Sequence, residues 1–119
     1  MTASRRRAET RGRRAEAIAV WLLRLKGYVI LARRERTPLG EIDVIARRGR
    51  MLVAVEVKAR GPDASLRDLI AERQWLRIRR ALEAFAGRRR LDDLRLRYDV
   101  VLLRRGRLPM HRADAWRPS

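Results

Sequence analysis

Apolar positions along the chain follow two rhythms. Between Glu9 and Lys26, Ala15, Ile18, Ala19, Leu22 and Leu23 recur at three- and four-residue intervals, which predicts a helix with Gly27 as its C′ stop. Trp21, Val20 and Leu25 widen that stripe, so a well-buried helix is expected. Tyr28 to Arg34 reads as a strand and Thr37-Pro38-Leu39-Gly40 as a turn. The period then drops to two. Glu41 and Asp43 share one face, with Ile42, Val44 and Ala46 on the other; Ala54, Glu56 and Lys58 likewise oppose Val53, Val55 and Val57. The segment between them, Arg47-Arg48-Gly49-Arg50, is short and holds a glycine, so the strands are expected to form an antiparallel hairpin. With Arg48-Gly49 as the turn, Asp43 lies opposite Ala54; with Gly49-Arg50, it lies opposite Glu56.

Arg60-Gly61-Pro62-Asp63 breaks the second strand. Ser65 is a candidate cap for a long helix ending near Ala86, with Leu69, Ile70, Leu76, Ile78, Leu82 and Phe85 as apolar positions and Arg67, Arg73, Arg77, Arg80 and Arg88 on its flanks. Leu96 to Leu103 contains Val100-Val101-Leu102-Leu103, a buried strand; Arg105-Gly106 turns the chain into an edge strand over Leu108 to Trp116. The order α-β-β-β-α-β-β predicts an α/β fold, a mixed sheet flanked by helices. Residues 1–8 are basic without a periodic stripe and are expected to be a flexible arm, leaving 9–119 as one domain.

Charge changes the picture most. The formal net charge is +17, a field that attracts polyanions, and nucleic acid is the first candidate partner. No apolar run approaches the ~20 residues of a spanning helix, and no signal region follows the arginine-rich start, so a cytoplasmic protein with no membrane partner is expected. The absence of cysteine excludes a disulfide framework and a thiolate zinc site; one histidine, His111, excludes multi-histidine metal chemistry.

The hairpin carries the candidate chemistry. Opposed or diagonal carboxylates on one face are roughly 5–8 Å apart, a repulsive arrangement unless a cation intervenes, and oxygen ligands suit a hard ion such as Mg²⁺ or Mn²⁺. Of 31 basic residues only Lys26 and Lys58 are lysines. Lysine is a compact, titratable charge that can position water beside a scissile phosphate. The plainer alternative for Asp43 and Glu56 is a solvated ribbon with each acid met by an arginine. Glu41, next to the turn, suits either a ligand or an exposed acid. Glu16 suits either a helix-dipole partner or an acid aimed at the sheet. Gln74 is a candidate substrate or water contact. His111 is expected to be structural, Trp75 and Trp21 to be core, and Asp99 to pair within its strand. Arg11, Arg13, Arg14, Arg33, Arg34, Arg60 and Arg73 bracket the centre in sequence and are candidates, with Gln74, for nucleic-acid binding.

The chain resembles the YraN-like family of small bacterial proteins, within the restriction-endonuclease-like nuclease superfamily. The resemblance rests on Gly12 with Ala15-Glu16 and Ala19, Gly27-Tyr28, Gly40-Glu41-Ile42-Asp43, Val55-Glu56-Val57-Lys58-Ala59-Arg60, Arg97-Tyr98-Asp99-Val100-Val101 and Ala115-Trp116. It implies a core like that of Holliday-junction resolvases, with Glu16, Asp43, Glu56 and Lys58 catalytic. It also implies Asp43, Glu56 and the Val57 carbonyl as metal ligands, with Glu41 as a further candidate. Two positions depart from the family pattern: Arg34 stands where asparagine is common ahead of GEID, and Arg73 where a lysine commonly precedes Gln74. The expectation is therefore a Mg²⁺- or Mn²⁺-dependent DNA endonuclease, with branched or flapped DNA among its substrates and a homodimer as the form that cuts two strands. The alternative is a non-catalytic nucleic-acid-binding module with the same fold.

Overall fold

A computed structural model describes residues 3–67 and 69–119, with 3–11 as backbone only. Helix α1 (Ala3–Leu25) leads into β1 (Val29–Thr37), β2 (Gly40–Arg48) and β3 (Met51–Arg60), then α2 (Glu72–Arg88), β4 (Arg95–Arg104) and β5 (Met110–Trp116). This is the expected order. The strands lie side by side in sequence order, and only β3 and β4 run parallel, joined by a crossover through α2.

Each helix covers one face of the sheet. Against α1, Ala19, Val20 and Leu23 pack on Val44, Ala46, Val53, Val55 and Val101. Against α2, Trp75, Ile78, Leu82 and Phe85 pack on Ile45, Leu52, Ala54, Tyr98 and Val100. The middle strands are thus buried on both faces, which is why β3 and β4 read as nearly continuous apolar runs rather than alternating ones. Each large side chain so buried contributes about 1.5–3 kcal/mol.

The hairpin turn settles the two registers. Arg48 pairs with Met51, so Gly49-Arg50 is the turn; Gly49 takes φ 60, the left-handed value that a tight two-residue turn requires. That register sets Asp43 across from Glu56. Helix α1 ends on Gly27, φ 89, with Tyr28 N–H donating to the Leu23 carbonyl and Gly27 N–H to that of Arg24, a Schellman closure.

Several expectations need correction. Helix α1 begins at Ala3, so backbone expected as an arm is helical. Strand β1 runs on to Thr37, whose hydroxyl accepts the Leu39 and Gly40 amides and closes the Pro38-Leu39 turn. Helix α2 starts at Glu72 rather than near Ser65. The Ser65 hydroxyl accepts the Arg67 amide in a local turn, and Leu66, Leu69 and Ile70 pack on the core from a loop. Trp21 is 63% and Leu25 83% exposed, with Ile18 also open. At ~100° per residue, Ala15, Ala19 and Leu23 face the sheet, while Arg14, Ile18, Trp21 and Leu25 fall on the opposite flank. Trp75 is buried as expected. Finally, Ile42 does not share a face with Val44 and Ala46. It buries with Ile45 beneath α2, so the alternation of β2 slips at Asp43.

Candidate active site

Strands β2 and β3 part company where that alternation slips. Backbone pairing between them ends at Val44 and Val55, although both strands continue. Beyond that point side chains take over from the ladder. The Val57 amide donates to Asp43 Oδ2 at 2.8 Å, and the Asp43 amide donates to Glu56 Oε1 at 3.5 Å. The two strands therefore fork, with β2 staying on β1 and β3 staying on β4.

The fork opens into a cleft of about 310 Å³ lined by Glu16, Glu41, Asp43, Glu56, Lys58 and Gln74, with the backbone of Val57 beside them. Helix α1 supplies Glu16, β2 supplies Glu41 and Asp43, β3 supplies Glu56 and Lys58, and α2 supplies Gln74. Residues from four elements, up to 58 positions apart in sequence (Glu16 to Gln74), thus meet in one space. Gln74 Nε2 donates to Glu56 Oε2 at 3.4 Å, tying α2 to the acid. Glu41 is exposed and pairs with Arg36 at 3.5 Å.

Electrostatics mark the pair at the centre. Glu56 is only 3% exposed. Burial, and then the neighbouring charge of Asp43, pushes its pKa up to about 8, against the opposing pull of Lys58. Burial also raises Asp43 above the usual aspartate value, with its hydrogen bond from Val57 working the other way. The two titrate as a pair. A carboxyl raised to about 8 keeps its proton near neutrality, and a hard divalent ion is the kind of group that would displace it.

The oxygens suit such an ion in kind, but they are not yet gathered around a point. Among the described residues no three acidic or histidine side chains converge as a ready cage. One of the acids that line the cleft is already engaged: Arg34 Nε donates to Glu16 Oε2 at 2.6 Å. Arg34 has φ 52, a left-handed backbone that asparagine tolerates better than arginine. The departure from the family pattern at this position thus sits where the backbone is most particular and touches the helical acid directly.

The arginines expected around the centre divide. Among the described residues none of them lines the acidic cleft itself. Arg14 and Arg60 line a basic groove next to it, Arg13, Arg33 and Arg73 are exposed elsewhere, and the side chain of Arg11 lies outside the described residues. Sequence reading missed Arg104 and Arg105 in that groove, because their nearness to Arg60 follows from the parallel pairing of β3 with β4. It also missed the extent of a second polar cluster. Asp99, fully buried, receives Arg97 through both oxygens at 2.8 Å, the Asp114 amide at 2.9 Å and His111 Nε2 at 2.8 Å. Burial alone would raise this acid, but the hydrogen bonds from His111 and Arg97 outweigh it and hold the carboxyl below the usual range. Lys26 Nζ meets His111 Nδ1 at 2.9 Å, which leaves Nε2 as the N–H facing Asp99. Asp99 pairs with Arg97 within its strand, as expected, and His111 is held against it.

A model of the uncharacterised protein family UPF0102 matches residues 15–103, most of the chain. A UPF0102 protein of Parvibaculum lavamentivorans is 54% identical over 90% of this chain and 81% of its own length. One from Maricaulis maris is 52% identical over 100% of this chain and 94% of its own, and one from Rhizobium johnstonii is 49% identical over 98% and 96%.

Proposed function

The chain belongs to the uncharacterised protein family UPF0102, also called YraN-like, and from the chemistry of its cleft we propose a Mg²⁺- or Mn²⁺-dependent DNA endonuclease. The observation that carries this reading is the convergence of Glu16, Asp43, Glu56 and Lys58 on one open cleft in a chain of net charge +17. It agrees with the resolvase-like relationship implied by the GEID and VEVK segments, and with work on branched or flapped DNA in the cytoplasm.

Asp43 and Glu56 would hold the ion, with the Val57 carbonyl and Glu41, which also line the cleft, as further candidates. An ion held there would supply activation of water and neutralisation of phosphate charge. The chain's own residues do the rest. Gln74 fixes the Glu56 carboxylate through its Nε2, so that Oε1 keeps one direction. Lys58 Nζ offers hydrogen bonds to the attacking water and to a phosphate oxygen, stabilising negative charge as it develops. Arg34 withholds Glu16 until substrate phosphate competes for the guanidinium.

The test is incubation of the purified protein with branched, flapped and linear DNA in Mn²⁺. Cleavage is expected, and Asp43→Asn should slow it by about a hundredfold or more. Wild-type protein that cuts nothing, or an Asp43→Asn variant that cuts equally well, would end the catalytic reading. A second reading, a non-catalytic nucleic-acid-binding module, draws on the engaged state of the acids: Asp43 on a backbone amide and Glu16 on Arg34. Calorimetric titration of Mn²⁺ separates the two, since only the enzyme predicts uptake that Glu56→Ala abolishes.

A further inference from the structure

A groove of about 860 Å³ runs on from the acidic cleft, sharing Gly12, Ala15, Val57, Lys58 and Ala59 with it. Its walls are the flank of α1, with Arg14 and Ile18, and the ends of two parallel strands, where Arg60 pairs with Arg104 and Arg105 follows. Four arginines and Lys58 therefore line the groove, and among the described residues no acidic side chain joins them. An acidic pocket opening into a groove whose charged residues are all basic is the charge order that a phosphodiester chain needs. One phosphate meets the cation site, and its neighbours meet guanidinium groups.

The side chain of Arg104 adds an independent sign. Its Nη1 reaches the Ala64 carbonyl only at 3.4 Å, and its Nε, shut off from solvent, has no partner among the described residues. A buried donor left unmatched costs about 1–3 kcal/mol. A guanidinium so loosely held gains by turning toward an anion in the groove beside it.

We infer that this groove is the track of the polynucleotide backbone leaving the cleft, with Arg60, Arg104 and Arg105 gripping successive phosphates beyond the scissile one and Arg14 closing the α1 side. The inference rests on the nuclease reading for its polarity but not for its existence, since the groove binds phosphates whether or not the cleft cuts. It gives the substrate a direction across the fold, toward the C-terminal ends of β3 and β4.

The experiment compares two double variants of equal charge loss, with binding of a fluorescein-labelled DNA oligonucleotide read by anisotropy in EDTA. Arg60→Ala with Arg105→Ala removes two exposed groove contacts. Arg50→Ala with Arg95→Ala removes two arginines at the opposite end of the same strand pair, where Met51 pairs with Arg95. The groove variant is expected to bind about tenfold more weakly near physiological salt, with the slope of log affinity against log salt reduced by about 1.4–1.8. The far-end variant should bind within about twofold of wild type. Arg104→Gln, chosen to keep a polar group under the 61–71 loop, should weaken binding about fivefold. Equal losses in both double variants, or no loss in either, overturn the track and leave only diffuse attraction. The two readings fail separately. A protein that binds through the groove but never cuts keeps the track and loses the enzyme. One that cuts, with the groove variant binding and cutting as wild type does, loses the track and keeps the enzyme.

Discussion

Glu56 is a carboxyl almost wholly withdrawn from water. Its carboxyl stands at about 8 in the folded chain against 4.5 unperturbed, first through burial and then through the charge of Asp43. A raised value means the folded state holds the proton longer than the unfolded one. The stability this contributes is complete below pH 4.5, falls as the unfolded chain ionises, and is lost once pH passes 8. Glu56→Gln keeps the shape and removes the titration. In EDTA at pH 8 its Tm should exceed that of wild type by about 5 °C, the shift produced by ~1 kcal/mol in a domain of this size. At pH 4.5 the two should coincide. Thermal melts that run parallel across the whole range would show that the acid is hydrated after all. Mn²⁺ should reverse the order at pH 8 by stabilising wild type alone.

At the scale of elements, the glycine of GEID has a packing reason. A Cβ on Gly40 would meet the backbone oxygen of Arg77 at 3.1 Å, so α2 rides directly on the bare backbone at the start of β2. Gly40→Ala should destabilise the fold by about 1–3 kcal/mol. Because Gln74 lies one turn before Arg77, the displaced helix should also lower Mn²⁺ affinity, measured by calorimetry. Unchanged melting and unchanged affinity would mean that α2 yields freely. Much of this level was legible in the sequence. Period-two patterning found the hairpin, Gly27 marked the end of α1, and the lysine at 58 stood out against an arginine background. What was not legible came from competition between local and tertiary forces. Ser65 looks like a cap but makes a local turn, while Leu69 and Ile70 find the core without a helix. Trp21 carries an apolar side chain at a helical spacing, yet the sheet is covered by Ala15, Ala19, Val20 and Leu23 before the helix turns that far. The slip at Ile42 is hidden because isoleucine satisfies either face.

For the molecule as a whole, the two polar centres answer to opposite conditions. Asp99 itself is fully buried and its carboxylate is met by Arg97 and His111, so salt has little to screen at that acid. Over the whole chain 31 basic residues stand against 14 acidic ones, and the mutual repulsion of that excess opposes compaction. Raising NaCl from about 0.05 to 0.5 M shortens the Debye length from roughly 14 to 4 Å, so Tm should climb by a few degrees even as affinity for DNA collapses. A Tm that falls instead would mean that exposed pairs such as Arg79 with Glu83 outweigh the repulsion. No helix among the described residues is long and apolar enough to cross a membrane.

The fork between β2 and β3 ties these levels together. Asp43 Oδ2 is at once the rung that joins two strands and an oxygen that a cation would claim. Any ligand drawing it away releases the Val57 amide as a spare donor pointing at the same space. On the nuclease reading proposed above, loading the pocket would unbutton one stitch of the sheet, and variants selected for hardiness should tighten that stitch at the expense of metal affinity.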